Sequence, residues 1–506
     1  MRSNNYKSVL KHAGLAATVL LLASGVAFGQ QVNLTAAGTT TTLPDGSVVP
    51  MWGYSCDAVQ PTGSTATCAV LNTTAPAGSW SPVVITVPTG TDLQINLTNN
   101  LSFGTAPNNI PTSLVIVGQL GGGLGTPGSS TASPDHTRAQ PVTWPIAADA
   151  AGVPLGTTVG STLGTPPTQG PRVQSFSTEV AVGTPATLCW GVCATGGPAL
   201  TPGTYLIESG THPSIQGPMG LYGILVVTTA PSGTTAGTAY GTGATAVTYN
   251  ADLPLLLSEI DPVQNLAVGK AVGTAGFNET NVWSGLYGGC GNPWNANGTA
   301  NTTTYGTCYP PAVNYTPLYY LFNGRAFDKT NSSASLFAAA PGSTSAPVTG
   351  TVLVRLVNAG LRMHVPSIVG AQTGVAVAPA TTPPSGFSLI AEDGNVLPGV
   401  PRVQSEVFMA AGKTNDVMIN VPSATTALPI FDRELSLSAN SIARDAGMLA
   451  YISVNGAALP TSGAFSAAAT TAVANPHPCP HPAPPASCLQ RDSTSLDWSP
   501  RSSLRH

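Results

Sequence analysis

Short runs in which apolar and polar residues alternate, each closed by a turn-forming residue, recur along most of this 506-residue chain. In residues 93–97 the apolar side chains alternate with Gln94 and Asn96, which is the period of a half-buried strand. Strands are also predicted at 82–87, 113–117, 203–207, 223–228, 351–357, 416–421 and 448–454. No segment of ordinary helix length repeats apolar residues at helical spacing without an intruding glycine or proline, of which there are 56 and 46. The pattern predicts an all-β fold of the sandwich or barrel kind, without helices of ordinary length.

An internal repeat divides the chain into two similar halves. The pattern of residues 93–99 (LQINLTN) returns at residues 352–358 (VLVRLVN), and in both places it follows a Thr-Gly-Thr triplet. The pentapeptide Pro-Arg-Val-Gln-Ser also occurs in both halves, at 171–175 and at 401–405. A repeat of this kind predicts two similar structural units.

Composition marks the limits of these units. The stretch between the halves is built of Thr, Gly, Ala and Ser without a charged residue, which is typical of a linker. The last part of the chain changes to Ala and Thr, then to Pro and His, and finally to charged residues. We therefore predict a first domain at 30–228, a linker at 229–246, a second domain at 247–460 and a disordered tail at 461–506.

The first 29 residues have the organisation of a secretory signal peptide. Three basic residues (Arg2, Lys7 and Lys11) precede an apolar run at 13–26, and small residues at 27–29 offer a cleavage site. A membrane anchor is the alternative, but the run is shorter than the ~20 residues that a membrane span needs, and no later segment is long enough. We predict a secreted or periplasmic protein whose mature chain has no membrane span.

Eight cysteines agree with an oxidising compartment. They occur as close neighbours: Cys56 with Cys68, Cys189 with Cys193, Cys290 with Cys308, and Cys479 with Cys488. Local disulfides are the simplest arrangement, although the sequence does not fix the connectivity. Cys189 and Cys193 are one residue too far apart for a Cys-x-x-Cys motif, and a redox or metal pair remains the alternative there.

Charged residues make up only 8% of the chain, against about 25% in ordinary soluble domains, and the formal net charge is -4. A protein that binds nucleic acid needs clustered Lys and Arg to displace counterions from phosphates. Here 17 basic residues are scattered along the chain and outnumbered by 21 acidic ones. We predict no nucleic-acid partner.

Several segments of the first half resemble the cupredoxin domains of the multicopper oxidases, the family of laccases and metal-ion oxidases. Residues 88–101 resemble the strand that leads to the family's first copper motif, and residues 112–118 (TSLVIVG) occupy the place of that motif. Residues 203–212 (GTYLIESGTH) and 219–227 (MGLYGILVV) resemble the second copper motif and the strand that closes the first domain.

The second half resembles the following cupredoxin domain of the same family. The similar segments are 255–259 (LLLSE), 322–325 (FNGR), 354–359 (VRLVNA) and 390–394 (IAEDG). The resemblance covers roughly residues 45–455 and implies two tandem cupredoxin-like Greek-key sandwiches. It also implies copper as cofactor and, in active members, oxidation of phenols or metal ions coupled to reduction of oxygen.

The ligand positions depart from the family pattern. At the first motif they are Val115 and Val117, which cannot bind a metal and which we expect to continue the buried face of the sheet. At the second motif Glu208 replaces the first histidine, and His212, displaced by a short insertion, is the first candidate metal ligand. The second candidate is His136, in an insertion rich in Gly, Ser and Thr. For both histidines, a loop position without metal is the alternative.

Other histidines do not complete the set. The family's copper centres need paired imidazoles and a thiolate, and the chain has only seven histidines, with His12 in the predicted signal peptide. His364 lies between apolar neighbours and is predicted to be structural. In His477-Pro478-Cys479-Pro480-His481 the prolines prevent a strand that would hold three side chains at one metal. Oxidase chemistry would therefore need a further domain or subunit that carries copper ligands.

Carboxylates near strand ends are the remaining candidates for chemistry: Glu259, Asp261, Glu392 and Asp393. Nothing in the sequence pairs them for acid–base catalysis, so we expect them in caps and turns. No catalytic residue is therefore assigned.

Two hypotheses of different classes follow. The first is a secreted multicopper-oxidase-type protein with an incomplete copper-ligand set, which is either the front portion of a longer oxidase or a form that has lost its activity; whether it is an enzyme stays open. The second is a non-catalytic extracellular β-sandwich scaffold or partner-docking protein. Bound copper distinguishes the two.

Overall fold

A computed structural model of the chain describes residues 29–123, 175–193, 198–275, 277, 295–304, 315–341, 350–373, 384–421, 426–434, 447–454 and 456–459. All of them lie in the unit Met1–Leu459. Several predictions fall outside the described residues: the signal peptide up to residue 28, His136, Cys290, Cys308, Cys479, Cys488, His477, His481 and the tail.

Two sheets form a first sandwich, with strand orders β2-β1-β5-β9 and β3-β4-β11-β10-β8. Two pairs, β1 with β5 and β4 with β11, are parallel, so the chain crosses between the sheets rather than folding as simple hairpins. The elements are β1 (Gln30–Thr42), β2 (Val48–Cys56), β3 (Thr67–Val70), β4 (Val83–Val87), β5 (Leu93–Asn100), β6 (Ser102–Phe103), β7 (Asn108–Asn109), β8 (Val115–Ile116), β9 (Ala186–Trp190), β10 (Gly203–Glu208), the short helix α1 (Pro213–Gln216) and β11 (Tyr222–Val227). Strands β6 and β7 pair only with each other.

The segment 229–246, predicted as a linker, contains ordered secondary structure. The elements here are β12 (Gly237–Tyr240), a 3-10 helix (Gly243–Thr245) and β13 (Val247–Tyr249). Strands β12 and β13 pair as an antiparallel hairpin, and the hydroxyl of Tyr240 donates to Asp416 Oδ2 at 2.5 Å. Composition could not indicate this, because a partner far along the chain anchors the hairpin. The limits of the domains stay a prediction.

A second sandwich follows, with a nine-stranded sheet and a four-stranded sheet. The strand orders are β16-β15-β14-β19-β24-β21-β22, with β18 beside β14 and β23 beside β21, and β17-β26-β25-β20. The elements are β14 (Ala251–Ile260), the helix α2 (Pro262–Val272), β15 (Tyr319–Phe322), β16 (Arg325–Ala326), a 3-10 helix (Lys329–Ser335), β17 (Leu336–Ala338), β18 (Ala340–Pro341), β19 (Gly350–Asn358), β20 (Pro366–Ile368), β21 (Phe387–Glu392), β22 (Asn395–Val396), β23 (Arg402–Gln404), β24 (Thr414–Val421), β25 (Thr426–Asp432) and β26 (Leu449–Val454). The prediction of an all-β fold is confirmed.

The repeated sequence pattern occupies the centre of a sheet in each sandwich. Strand β5 lies between β1 and β9, and its alternating apolar residues in 93–97 are fully buried. Strand β19 lies between β14 and β24, and all residues of 352–356 are buried, Arg355 included. Both faces of β19 are covered because Leu353 packs against the β12–β13 hairpin. The repeat therefore marks equivalent core strands.

Helix α2 contradicts the expectation that the chain has no helix of ordinary length. Its N-cap, Asp261, accepts hydrogen bonds from two amides of the first turn at 3.0 and 3.2 Å, and Pro262 occupies the first position. Gly269 lies so close to β2 that a Cβ there would be 2.6 Å from Pro50 Cγ. The cap that was predicted for Asp261 is thus present, and tertiary packing against β2 outweighs the weak helical pattern.

A buried network of charges joins the sandwiches. The guanidinium of Arg355, fully buried, lies 2.9 Å from Asp252 Oδ2 and 3.3 Å from Asp416 Oδ2. Thr204 of the first sandwich donates to Asp416 Oδ1 at 2.7 Å and accepts from Arg355 at 3.1 Å. Burial raises the pKa of Asp416, and Arg355 opposes this. Because a buried charge needs paired partners, the network holds β10 in a fixed position against β19 and β24.

Candidate metal centre

The two segments that resemble copper motifs are neighbouring strands. Strand β8 pairs antiparallel with β10, and Val115 lies directly opposite Glu208. The amide of Val117 continues the pairing by donating to the carbonyl of Leu206 at 2.9 Å. The structure therefore brings together the positions that the sequence singled out, although they are about ninety residues apart.

The side chains at the first motif face outward, which corrects one expectation. Leu114 and Ile116 are the buried residues of this stretch, whereas Val115 is half-buried and Val117 is 39% exposed. Valines 115 and 117 therefore do not continue the buried face, because successive side chains of a strand point to opposite sides. Val115 packs against Gly210, where a Cβ would be 2.7 Å from Val115 Cγ2.

At the second motif the chain offers a carboxylate in place of an imidazole. Glu208 is half-buried, and this burial raises the pKa of its carboxyl. Gly210, two residues further along, has no side chain to offer. Carboxylate oxygens suit hard cations such as magnesium, calcium and manganese, whereas copper sites are built from imidazole and sulfur.

His212 stands just beyond β10, as the N-cap of helix α1. Its backbone is in the left-handed region, with φ 41° and ψ 59°, which is uncommon for a residue other than glycine. Burial lowers the pKa of His212, and the charge of Glu179 opposes that change. One imidazole is thus present just after β10, on a residue whose left-handed backbone forms the turn into helix α1.

A cluster of buried hydroxyl and amide groups, which sequence patterns did not predict, lies behind the motif strands. Its members are Thr112, Ser113, Ser175, Ser209, Thr211 and Gln216. Ser209 and Thr112 donate to Gln216 Oε1 at 2.7 and 2.8 Å, and Thr211 donates to Ser113 Oγ at 3.0 Å. The cluster is internally satisfied, as buried polar groups must be. Its only trace in the sequence is a set of small polar residues among apolar strand residues.

His364 lies far from the motif strands, in the second sandwich. Its Nδ1 is 2.9 Å from Asp432 Oδ2, and its Nε2 is 3.5 Å from Glu259 Oε2, with all three side chains fully buried. Burial lowers the pKa of His364, but the hydrogen bond to Asp432 and the nearby carboxylate of Glu259 outweigh burial and raise the pKa to about 9. This is the structural histidine that the sequence predicts.

The residues present do not fit a copper centre of the family's kind. Within the described part of the chain, no three His, Cys, Asp or Glu side chains come together as a possible metal site. The motif positions supply two valines, a glycine and one carboxylate, and among the described residues His212 is the only histidine of this sandwich. We therefore derive no chemical step through copper at this place.

Two of the expected disulfides are present. Cys56 is bonded to Cys68 and Cys189 to Cys193, with Cα atoms 5.8 and 5.9 Å apart. Local pairing is thus confirmed for these four cysteines, and the redox or metal alternative for Cys189 and Cys193 is replaced by a disulfide.

No helix among the described residues is long and apolar enough to cross a membrane.

Comparisons with known proteins give matches in structure only. No protein family model matches the chain, and no curated protein matches it in sequence. The chain is similar to the blue copper oxidase from Nitrosomonas europaea, with 16% identity, 84% of this chain and 85% of that one covered, and a TM-score of 0.43. It is also similar to the copper nitrite reductase from Nitrosomonas europaea, with 13% identity, 86% and 96% covered, and a TM-score of 0.42.

A third similar structure is the laccase from Botrytis aclada, with 17% identity and a TM-score of 0.41. The match covers 86% of this chain and 54% of the laccase, so the chain spans about half of the laccase's length.

Proposed function

We propose that this chain is a secreted protein of the multicopper-oxidase type in which the motif strands β8 and β10 serve as scaffold and hold no copper centre. One observation carries the proposal: Val115 lies opposite Glu208 where the family resemblance places imidazoles. The two strands pair in antiparallel register, so in this proposal the architecture is retained while the donor atoms are replaced. In active members copper supplies one-electron oxidation of the substrate and reduction of oxygen.

The surroundings of the motif strands support a structural role. Val115 packs on Gly210, and the hydroxyl cluster behind the strands satisfies its own hydrogen bonds. A completed arrangement of this kind needs no metal to organise it. In this proposal, oxidase chemistry would require copper ligands from a further domain or subunit.

His212 and His136 are the proposed copper ligands for any copper that the chain binds. His212 contributes one imidazole at the end of the motif, and His136 belongs to the neighbouring insertion. A site with one or two imidazoles takes up copper weakly, because coordination by several donors at fixed geometry is what gives tight binding.

Secretion is part of the proposal and is supported by the two disulfides of the first sandwich. Disulfides persist in the periplasm and outside cells, where thiols are not kept reduced. The predicted signal peptide points to the same compartment.

The test loads purified mature protein with copper, removes free metal by gel filtration, and measures bound copper and oxygen consumption with a phenol and with Fe²⁺. We expect substoichiometric copper and no oxygen consumption above that of free copper. Tight, stoichiometric copper together with oxidase activity would refute the proposal.

The variant His212→Asn tests the donor assignment separately, because asparagine tolerates the left-handed backbone of this position. Loss of the weak copper uptake is expected. Unchanged uptake would remove His212 from the proposal and leave the scaffold assignment intact.

A non-catalytic extracellular scaffold is the second candidate, favoured by the buried Arg355 network that fixes one sandwich against the other. The two candidates differ when the protein is isolated from its own source. A copper-bearing partner that copurifies supports the first, and a metal-free preparation without oxidase activity supports the second.

A further inference from the structure

A cleft between the two sandwiches has the features of a ligand site. It has a volume of about 330 Å³ and is lined by the end of β1, by residues 72–79 and by the turn that follows β15. Pockets for small ligands occupy roughly 300–1,000 Å³ and often lie where two structural units meet. None of its lining residues belongs to β8 or β10, so it is separate from the candidate metal centre.

Arg325 is the positively charged residue of this cleft. A two-residue turn, Asn323-Gly324, with φ 53° and 79°, joins β15 to β16 and presents Arg325 at the start of β16. Gly324 is held against the first sandwich, since a Cβ there would be 2.6 Å from Pro82 Cδ. The hairpin therefore cannot move away from the cleft without breaking this contact.

The guanidinium of Arg325 is half-buried and has few hydrogen-bond partners. Its Nη1 donates to Thr74 Oγ1 at 2.9 Å, and its Nε is buried and has no hydrogen-bond partner. Burial lowers the pKa of Arg325, and the charge of Asp328 opposes this only in part. A cation that is partly removed from water, with a buried donor left unpaired, is stabilised by an anion placed beside it.

The nearby carboxylates are already engaged with other groups. Asp328 Oδ1 accepts from the amide and hydroxyl of Thr330 at 2.8 and 2.7 Å, as the cap of the 3-10 helix. Asp45 accepts from the hydroxyl of Tyr319 at 2.7 Å. Among the described residues, neither carboxylate forms an ion pair with Arg325, so its buried Nε is left for a ligand.

We propose that this cleft binds a small molecule through an oxyanion group, carboxylate or phosphate, with Arg325 as its charge partner. Arginine suits both anions because its planar fork donates to two oxygens at once. Hydroxyl-bearing residues along the rim, including Thr41, Thr42 and Ser79, add polar contacts for the rest of the ligand. The site is independent of copper.

Isothermal titration of the mature protein with inorganic phosphate and, separately, with succinate tests the proposal at constant ionic strength. Saturable one-site binding of at least one probe is expected, and the two probes distinguish a phosphate from a carboxylate ligand. The variant Arg325→Gln should raise the Kd by about tenfold or more. Arg402→Gln, which removes the same charge from an exposed strand, should leave the Kd unchanged.

Two further variants keep the test decisive if Arg325→Gln does not fold. Thr74→Val removes one hydrogen bond of the guanidinium and should change the Kd. Arg325→Lys keeps the positive charge but loses the planar, two-pronged guanidinium, and it should bind the probe more weakly than the parent. Absence of saturable binding for both probes, or binding that is equal in the parent and in the Arg325 variant, would overturn the proposal.

Discussion

Raising the pH should remove a stabilising charge from the interior of the second sandwich. His364 is held between Asp432 at 2.9 Å and Glu259 at 3.5 Å, and Tyr320 packs edge-on against its ring. The groups facing it are thus two carboxylates and a phenol, with Arg362 bound to Glu259 through its backbone amide at 2.6 Å. The hydrogen bond to Asp432 and the nearby carboxylate of Glu259 outweigh burial and raise the pKa of His364 to about 9.

The magnitude follows from linkage between protonation and folding. In the unfolded chain the histidine has a pKa of about 6.5, so below that pH both states hold the proton and the stabilisation is fully present. Above it only the folded state holds the proton, and the free energy of unfolding falls by about 1.4 kcal/mol for each pH unit. The loss is complete once the pH has risen through the folded pKa of about 9, and it amounts to about 3 kcal/mol.

Urea unfolding, followed by tryptophan fluorescence from about pH 6 to above pH 9 with the disulfides intact, measures this loss. The variant His364→Gln should be less stable at the acid end and should show a flat profile. His212→Asn is the matched control and should keep the slope of the parent. A parent protein whose stability stays constant or rises over this range, or a His364 variant with the same slope, would contradict a stabilising charge on His364.

Three further predictions concern the fold. Arg355→Met leaves Asp416 and Asp252 without their buried partner and should reduce the free energy of unfolding by about 3–5 kcal/mol. The control Arg402→Met, at an exposed position, should change this free energy by less than about 0.5 kcal/mol, and equal effects of the two variants would contradict the role of the network. Asp261→Ala removes the cap of α2 and should cost about 1 kcal/mol or more, measured by thermal or urea unfolding, and an unchanged midpoint would show that the cap contributes nothing. Removing the Cys56–Cys68 disulfide by paired serine substitutions should lower the free energy of unfolding by about 3 kcal/mol, which is more than the loss expected for Cys189–Cys193. The reason is that the first disulfide joins cysteines 12 residues apart and the second joins cysteines 4 residues apart, so the first restricts the unfolded chain more. The reverse order would contradict the chain-entropy argument.

Patterns of period two predicted much of the fold. The alternation in 93–97 and its repeat at 352–356 identify the central strands β5 and β19, because a strand buried at the core must place apolar residues on the core face. The turn chemistry of Asp261 and the local pairing of Cys56 with Cys68 are likewise encoded within a few residues.

Other features depend on partners far along the chain and leave little trace in the sequence. The stretch 114–117 is apolar throughout, so no polar residue marks its outer face, and the direction of Val115 and Val117 follows only from packing. Helix α2 forms with an interior glycine because that glycine lies against Pro50. The hydroxyl cluster and the Arg325 cleft bring together residues from distant segments, and only the fold shows that they meet.

X-ray diffraction at the copper absorption edge, from crystals soaked in copper, shows directly whether the motif strands hold a metal. We expect no anomalous peak on the β8–β10 pair between Val115 and Glu208, and at most a partly occupied peak at His212. A fully occupied copper between those two strands, with ligands from the motif residues, would contradict it.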